Sequence, residues 1–374
     1  MRLAIDGYEA NAQIRVGVGR YAFELIAKIA KMQQGSRRVF DEVTVYLPEP
    51  KRPHMPEASR YFTYKVCFPK KLWTFIGFPL ALATSAKKPD VVFSPTHYLP
   101  RFVNIPRVIA VMDVSYLSYP ELFRREDLHK LIHWTAYSVR HAARIITISE
   151  FSKRAIIEAY HVPADRVTVA YPALTDWQNK LPMATTETTR NTERRYILTV
   201  GTLQPRKNFT RLIEAFSKLK ETDISLVIVG KKGWLYEEIL AAPKRFGVEH
   251  RVKFMDFVPD DELPELYKNA ACFVLPSLYE GFGLPVLEAM SYGIPVVVSN
   301  VSSLPEIAGD AGIYVEPENV ESITRGLETA LTEKSADRTK RITGGKKRAA
   351  EFTWERAADQ VMRVLSEAAA KGDT

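Results

Sequence analysis

The chain predicts an α/β protein built from two doubly wound, Rossmann-like domains, each a parallel sheet, and three observations carry that expectation. Its 374 residues exceed what one hydrophobic core usually organises. In both halves, short β-branched runs alternate with stretches of helical spacing, the pattern of parallel strands joined by crossover helices. Between the halves, the stretch from residue 172 to 195 is rich in Thr, Asn and charge and lacks apolar periodicity, as a linker or loop would. The expected division is a first domain over 1–177, a linker over 178–195, a second domain over 196–353 and a terminal helix from 354 to 374.

The elements follow in order. Candidate strands of the first domain are 3–6, 43–47, 91–94, 108–111, 145–148 and 167–169, with a helix over 21–30. Those of the second domain are 196–200, 225–229, 252–254, 271–275, 295–298 and 312–314. Each is a short apolar run bounded by turn residues. In the terminal segment, Ala357, Ala358, Val361, Met362 and Leu365 recur at helical spacing. Two such domains are expected to face a cleft that holds the chemistry.

Composition removes several classes. With 46% hydrophobic and 26% charged residues the chain is neither disordered nor fibrous. Its two cysteines, Cys67 and Cys272, are far apart in apolar contexts, so buried thiols in a reducing, cytoplasmic compartment are expected rather than a disulfide framework. The first residues enter a strand directly, with no signal-like stretch, and no run reaches the length of a membrane span. Charge is uneven: residues 1–177 hold 25 Lys and Arg against 16 Asp and Glu, and the remainder 27 against 28. A basic first half calls for an anionic partner such as a membrane surface or a pyrophosphate-linked acceptor. Nucleic acid is not expected, because the basic residues are scattered and no zinc finger, RNA-recognition motif or basic dimer helix is present.

The most informative segment is Pro276-Ser277-Leu278-Tyr279-Glu280-Gly281-Phe282-Gly283-Leu284-Pro285-Val286-Leu287-Glu288. It joins a buried strand to a helix that starts near Leu284, with Pro285 in its first turn. Glycines let the loop approach a ligand, and the unpartnered N–H groups of the helix start attract anions. Glu280 and Glu288 flank that anion site. A second loop, Gly201-Thr202-Leu203-Gln204-Pro205-Arg206-Lys207-Asn208, again leads from a strand to a helix. It sets Arg206 and Lys207 at the carboxyl end of that strand, where open α/β sheets bind ligands and where a guanidinium and an ammonium can hold a diphosphate.

Glu-x7-Glu around Glu-Gly-Phe-Gly-Leu-Pro closely resembles the signature of retaining glycosyltransferases of family 4, which have the GT-B architecture. Gly-Thr-Leu-Gln-Pro-Arg-Lys-Asn resembles the donor-phosphate loop of that family. The similarity spans nearly the whole chain, is strongest over 196–316, and has the look of bacterial polysaccharide mannosyltransferases, lipopolysaccharide enzymes among them. The resemblance implies a retaining hexosyltransferase acting from a nucleotide sugar, with GDP-mannose favoured and UDP- or dTDP-sugars open. The acceptor would be a glycan or lipid-linked glycan, met at the inner face of a membrane. It further implies that Glu280 lies beside the donor sugar and Glu288 on the ribose. Backbone from Phe282, Gly283 and Leu284 would meet sugar and phosphate; Arg206, Lys207 and Gly201 would hold the diphosphate; Lys231 and Val258 would lie in the loops near the nucleoside. In family members the last helix crosses back to the first domain.

The first domain contributes Gly17-Val18-Gly19-Arg20-Tyr21-Ala22. Taken alone this Gly-x-Gly-x-x-Ala suggests a dinucleotide fold and an oxidoreductase, but about ten residues separate it from the first strand. It resembles the family's flexible glycine loop instead, so Gly17 and Gly19 are expected over the donor phosphates. Two further loops are candidates for the acceptor side, one with His97, the other with Asp113. Relatives commonly carry His-Asp where this chain has Met112-Asp113, and a Met cannot donate the hydrogen bond a His would. His97 is a candidate substitute, or a loop histidine bonded to backbone. Asp113 is a candidate to bind an acceptor hydroxyl or stabilise positive charge, or a cap of the next turn. The Met112 departure also leaves open a GT-B protein that binds nucleotide sugar without catalysis.

No Asp-x-Asp occurs, and two Cys and seven His show no zinc spacing. The expectation is therefore no metal site and no cofactor, the leaving diphosphate being neutralised by Arg206, Lys207 and the helix start near Leu284. Finally, the aromatic stretch 72–82 lies between Lys70-Lys71 and Lys87-Lys88. It reads either as a membrane-interface segment or as a core-facing helix.

Overall fold

The computed structural model describes residues 1–15, 17–35, 38–175, 196–259 and 261–370. The expected linker over 178–195 lies outside the described residues. The chain divides into two compact units, Met1–Leu117 with Arg125–Pro172 and Thr353–Thr374, and Ser118–Arg124 with Ala173–Phe352.

The first unit is built on seven parallel strands: β1 (Arg2–Asp6), β2 (Glu42–Leu47), β3 (Phe62–Val66), β4 (Val91–Ser94), β5 (Arg107–Ala110), β6 (Arg144–Thr147) and β7 (Val167–Val169), in the order β3-β2-β1-β4-β5-β6-β7. The order reverses at β1, which pairs with β2 on one side (Leu3 opposite Val43) and β4 on the other (Leu3 opposite Val91). The carboxyl ends of β1 and β4 therefore flank the crevice where such sheets bind ligands. Six of these strands match the apolar runs of the sequence. The seventh, β3, does not. It is an edge strand with one neighbour, and its residues after Phe62 are half-buried or exposed, so it carries Thr63 and Lys65 between apolar residues instead of a continuous apolar run.

The helix Val18–Gln34 is longer than the expected 21–30 and buries Tyr21, Leu25, Ile26 and Ile29. The last helix, Trp354–Ala370, packs on it within the same unit: Lys28 Nζ donates to Glu355 Oε1 at 2.8 Å and the Tyr21 and Trp354 rings lie 5.7 Å apart. Ala357, Ala358, Val361, Met362 and Leu365 are all buried. Burying Val361, Met362 and Leu365 contributes about 1.5–3 kcal/mol each.

The aromatic stretch takes the core-facing form. Leu72 has a left-handed backbone (φ 57°), a π-helical turn runs over Trp73–Gly77, and an α-helix follows over Phe78–Ala83 with Pro79 in its first turn. The wide turn rotates Trp73 and Phe78 inward, where their rings stack 5.6 Å apart. Trp73 Nε1 donates to Asp6 Oδ1 at 2.9 Å. These aromatic rings are thus core residues and not an interface belt. What the segment shows to solvent is aliphatic: Leu72, Ile76 and Leu80 are each about half exposed, beside an exposed Phe68. Burial of Asp6 at the end of β1 raises its pKa to about 6, against the bonds from Trp73 and the Tyr8 N–H that favour the carboxylate.

The second unit carries β8 (Tyr196–Val200), β9 (Ser225–Val229), β10 (Val252–Met255), β11 (Cys272–Leu275), β12 (Val296–Ser299) and β13 (Gly312–Val315), all parallel, in the order β10-β9-β8-β11-β12-β13. Every residue of β11 and β12 is buried, as the uniform apolar runs require of strands covered on both faces. Here the order reverses at β8, so the crevice is framed by the loops leaving β8 and β11. Cys272 is buried in β11, as its context implied, whereas Cys67 is only half-buried, because it follows the edge strand β3. No helix among the described residues is long and apolar enough to cross a membrane.

Candidate active site

In the second unit, the loops after β8 and β11 meet. The first runs from Gly201 into a 3-10 turn, Pro205–Lys207, and then through Asn208 to the helix Phe209–Ser217. The second passes from Pro276 to Gly283, which caps the helix Leu284–Ser291 with φ 101°. A β-carbon at Gly283 would stand 2.7 Å from Leu304 Cδ2, so both backbone and space demand glycine there. Pro285 sits in the first turn as expected.

Arg206 and Lys207 converge on Glu280. Lys207 Nζ donates to Glu280 Oε1 at 2.6 Å, Ser277 Oγ donates to the same oxygen at 2.6 Å, and Arg206 Nη1 approaches Oε2 at 3.3 Å while donating to the Tyr279 carbonyl at 2.8 Å. Lys207 and Glu280 are buried. Burial by itself would raise the Glu280 pKa; the charges of Lys207 and Arg206 and the bonds from Lys207 and Ser277 outweigh it and hold the carboxyl below its usual range. The group is ionised at neutral pH, and the cluster has two cations for one anion. The Glu280 backbone is pinned as well, its N–H donating to Ser302 Oγ and its carbonyl accepting from Ser303 Oγ, which also reaches the Phe282 carbonyl.

Glu288 is buried one turn inside the helix, where its Oε2 accepts from Tyr267 Oη at 2.7 Å. Tyr267 in turn stacks on Tyr292. Of the nucleoside-loop candidates, Lys231 runs beside the donor loop, its carbonyl accepting from the Leu203 N–H at 2.9 Å and its ammonium resting 4.4 Å over the Phe257 ring. Val258 is half-buried in the loop after β10, next in the sheet to β9. Gly201 follows β8 directly; a β-carbon there would stand 3.2 Å from the Lys207 side chain.

In the first unit, Gly17 lies before the helix with φ 48° and open space around it, while Gly19, expected in the loop, lies within the helix. It is buried inside the first helical turn, where the missing side chain makes room for the Glu9 carbonyl, so it is a packing glycine and not part of a loop. His97, past the end of β4, accepts at Nε2 from the Met112 N–H at 3.3 Å, and Asp113 Oδ1 accepts from Ser115 N–H and Oγ at 2.9 and 2.6 Å. Asp113 therefore does cap the next turn, and His97 does bond backbone; the two stand close enough for the Asp113 charge to act on the imidazole.

Sequence reasoning missed the residues that hold the charged ones. Ser277 and Asn208 stand inside the quoted motifs, where a Ser three residues before Glu280 and an Asn at a helix start were available signals. Asn208 Nδ2 donates to the carbonyls of Pro276 and Pro317, tying the loops after β8, β11 and β13. Tyr267, Ser302 and Ser303 lie in other segments, and only the fold brings them here. Among the described residues no group of three or more His, Cys, Asp and Glu is arranged to hold a metal ion.

Two reversed parallel sheets, with a half-buried Arg206 and a buried Lys207 where the second reverses, define a protein on a GT-B scaffold. Solved structures share that fold across the whole chain: a sucrose-phosphate synthase from Thermosynechococcus elongatus (TM-score 0.75, 18% identity, 99% of each chain) and WaaG, a glycosyltransferase involved in lipopolysaccharide biosynthesis (TM-score 0.70, 18% identity, 97% and 99%). The profile "Glycosyl transferases group 1" matches residues 185–348 and "Glycosyltransferase Family 4" matches 16–175. O-antigen chain mannosyltransferase B of Escherichia coli is 31% identical over 93% of this chain and 95% of its own length. The chain belongs to this family of GT-B glycosyltransferases.

Proposed function

We propose that this glycosyltransferase is a retaining, metal-independent hexosyltransferase that moves mannose from GDP-mannose to a glycan or lipid-linked glycan in cell-surface polysaccharide synthesis. The observation that carries the proposal is the cluster of half-buried Arg206 with buried Lys207 and Glu280 at the reversal of the second sheet. Mannose is favoured because the relative similar over nearly the full length is a mannosyltransferase by name. In this reading the donor diphosphate is held by Lys207, Arg206 and the helix start at Leu284, with Gly201 and Gly17 giving close backbone approach. Glu288 takes the ribose hydroxyls, and Phe282 and Gly283 line the sugar. The bond from the anomeric carbon to the phosphate oxygen breaks as the acceptor oxygen attacks from the same face, and the leaving phosphate takes the acceptor proton. Glu280 stabilises the positive charge that develops on the sugar, and Asp113 orients the acceptor hydroxyl.

The test is nucleoside diphosphate release from a panel of GDP-, UDP- and dTDP-sugars, with and without EDTA. Release from GDP-mannose that survives chelation, with retained configuration in the product, is expected. Loss restored by magnesium or manganese removes metal independence, and release from another nucleotide sugar alone removes GDP-mannose. No release with any donor leaves the binding-only reading, which Met112 favours.

We further infer reversible, salt-sensitive association of the first unit with anionic membrane at the cytoplasmic face. The support is the basic excess of residues 1–177 and the exposed Phe68, Leu72, Ile76 and Leu80 beside Lys70 and Lys71. Lys70 is already paired with Glu49 at 2.7 Å, so part of its charge is spent within the fold. Each basic residue near the surface contributes about 1 kcal/mol. Wild type should co-sediment with anionic but not neutral vesicles, less at high salt, and less for Lys70→Glu/Lys71→Glu or Ile76→Ser/Leu80→Ser. Equal recovery in the supernatant throughout would leave a soluble acceptor as the substrate.

A further inference from the structure

His97 holds an unused proton. Its Nε2 lies 3.3 Å from the backbone nitrogen of Met112. A peptide N–H only donates, so Nε2 must present its lone pair. Burial holds the imidazole pKa below its ordinary value, against the pull of the Asp113 carboxylate, so the ring is neutral near pH 7 and its one proton sits on Nδ1. Nδ1 is buried and has no hydrogen-bond partner among the described residues. Buried donors in folded proteins find acceptors, and one left without a partner is costly. This one stands just past the end of β4, beside the crevice where the first sheet reverses, and no described residue supplies its acceptor.

The neighbours narrow what that acceptor is. A metal ion needs the lone pair that a protonated Nδ1 lacks. A phosphate would bring negative charge toward the Asp113 carboxylate. A hydroxyl oxygen suits both groups, accepting from Nδ1–H while donating its own proton to a carboxylate that has lone pairs beyond those Ser115 uses. We propose that His97 is a neutral hydrogen-bond donor, through Nδ1–H, to a sugar hydroxyl oxygen, with its tautomer fixed by the main chain of Met112. The proposal rests on the glycosyltransferase reading for the identity of the ligand as a sugar, and His97 serves as donor, never as general base.

The experiment is nitrogen NMR of the full chain labelled at histidine, with the His97 signals identified by their loss in a His97→Gln variant. The free protein should show His97 neutral, protonated at Nδ1 and bare at Nε2. Methyl α-D-mannopyranoside as an acceptor-type sugar, or GDP-mannose as donor, should shift the Nδ1–H signal; inorganic phosphate should not. Which sugar moves it tells whether the hydroxyl belongs to acceptor or donor. In the transfer assay, His97→Asn, whose amide N–H falls near Nδ1, should keep kcat/KM within a few-fold. His97→Gln, whose amide falls near Nε2, should lose roughly 10- to 100-fold at unchanged melting temperature. A proton found on Nε2, or an Nδ1–H signal that neither sugar moves at saturation, overturns the proposal. Transfer that persists with an unmoved Nδ1–H and an undiminished His97→Gln rejects this inference and keeps the hexosyltransferase. A sugar-induced shift in a protein that transfers nothing keeps the inference and rejects the catalysis.

Discussion

Lys207→Ala is expected to lower kcat/KM for the nucleotide sugar about 10- to 100-fold, the equivalent of losing one charge-assisted hydrogen bond of about 1.5–3 kcal/mol. The lysine is held ready by Glu280 at 2.6 Å, so it loses little side-chain freedom when a diphosphate arrives. Glu280 also has Ser277 and Arg206 as partners, so the carboxylate is not stranded when the ammonium goes. Calorimetry separates the two contributions to the loss. Binding of GDP should weaken with the truncation, whereas binding of guanosine, which carries no phosphate, should not. Equal weakening of both ligands would mean that the residue only shapes the loop, and unchanged kinetics would take the diphosphate away from Lys207 altogether.

Asn208→Ala should have the largest structural effect. Asn208 is buried, has a left-handed backbone (φ 61°), and donates to the carbonyls of Pro276 at 2.9 Å and Pro317 at 2.6 Å while accepting from Arg211. The substitution leaves two interior carbonyls unpaired, at about 1–3 kcal/mol each, and puts in a left-handed position a residue without the short polar side chain that lets Asn tolerate it, at a cost of up to about 1–2 kcal/mol. A loss of about 3–5 kcal/mol is expected after relaxation, read as a fall of roughly 6–20 °C in the unfolding transition of the second unit. Asn208→Gly removes the backbone penalty alone and should fall between the two. Scanning calorimetry of the three proteins checks this, and an Ala variant as stable as wild type would mean that the tie between the loops contributes nothing.

The parts of this molecule that were legible in the sequence are those encoded by neighbours along the chain. β11 and β12 are buried on both faces, so they carry unbroken apolar runs, and Gly283-Leu284-Pro285 spells out a helix start. β3 was missed because an edge strand mixes polar with apolar residues. The inward turn of Trp73 depends on a π-helical turn that no periodicity of 3.6 anticipates. The charged residues of the site could be named from the sequence as individuals, but their pairing could not: Lys207 and Glu280 are 73 positions apart and meet only because β8 lies next to β11. Ser303 and Tyr267, which hold Glu280 and Glu288 in place, belong to segments with no signal of their own.

The chain passes between its two units four times, at Leu117, Arg124, Pro172 and Phe352, so that order of synthesis and order of completion differ. A ribosome makes most of the first unit early, yet Tyr21 has no Trp354 to pack against, and Lys28 no Glu355, until the segment Trp354–Ala370 has emerged. Domains usually fold as they are made, the amino-terminal one first. Here the part that starts first must wait, with one side of the helix Val18–Gln34 uncovered, for the whole second unit to be translated before it can close.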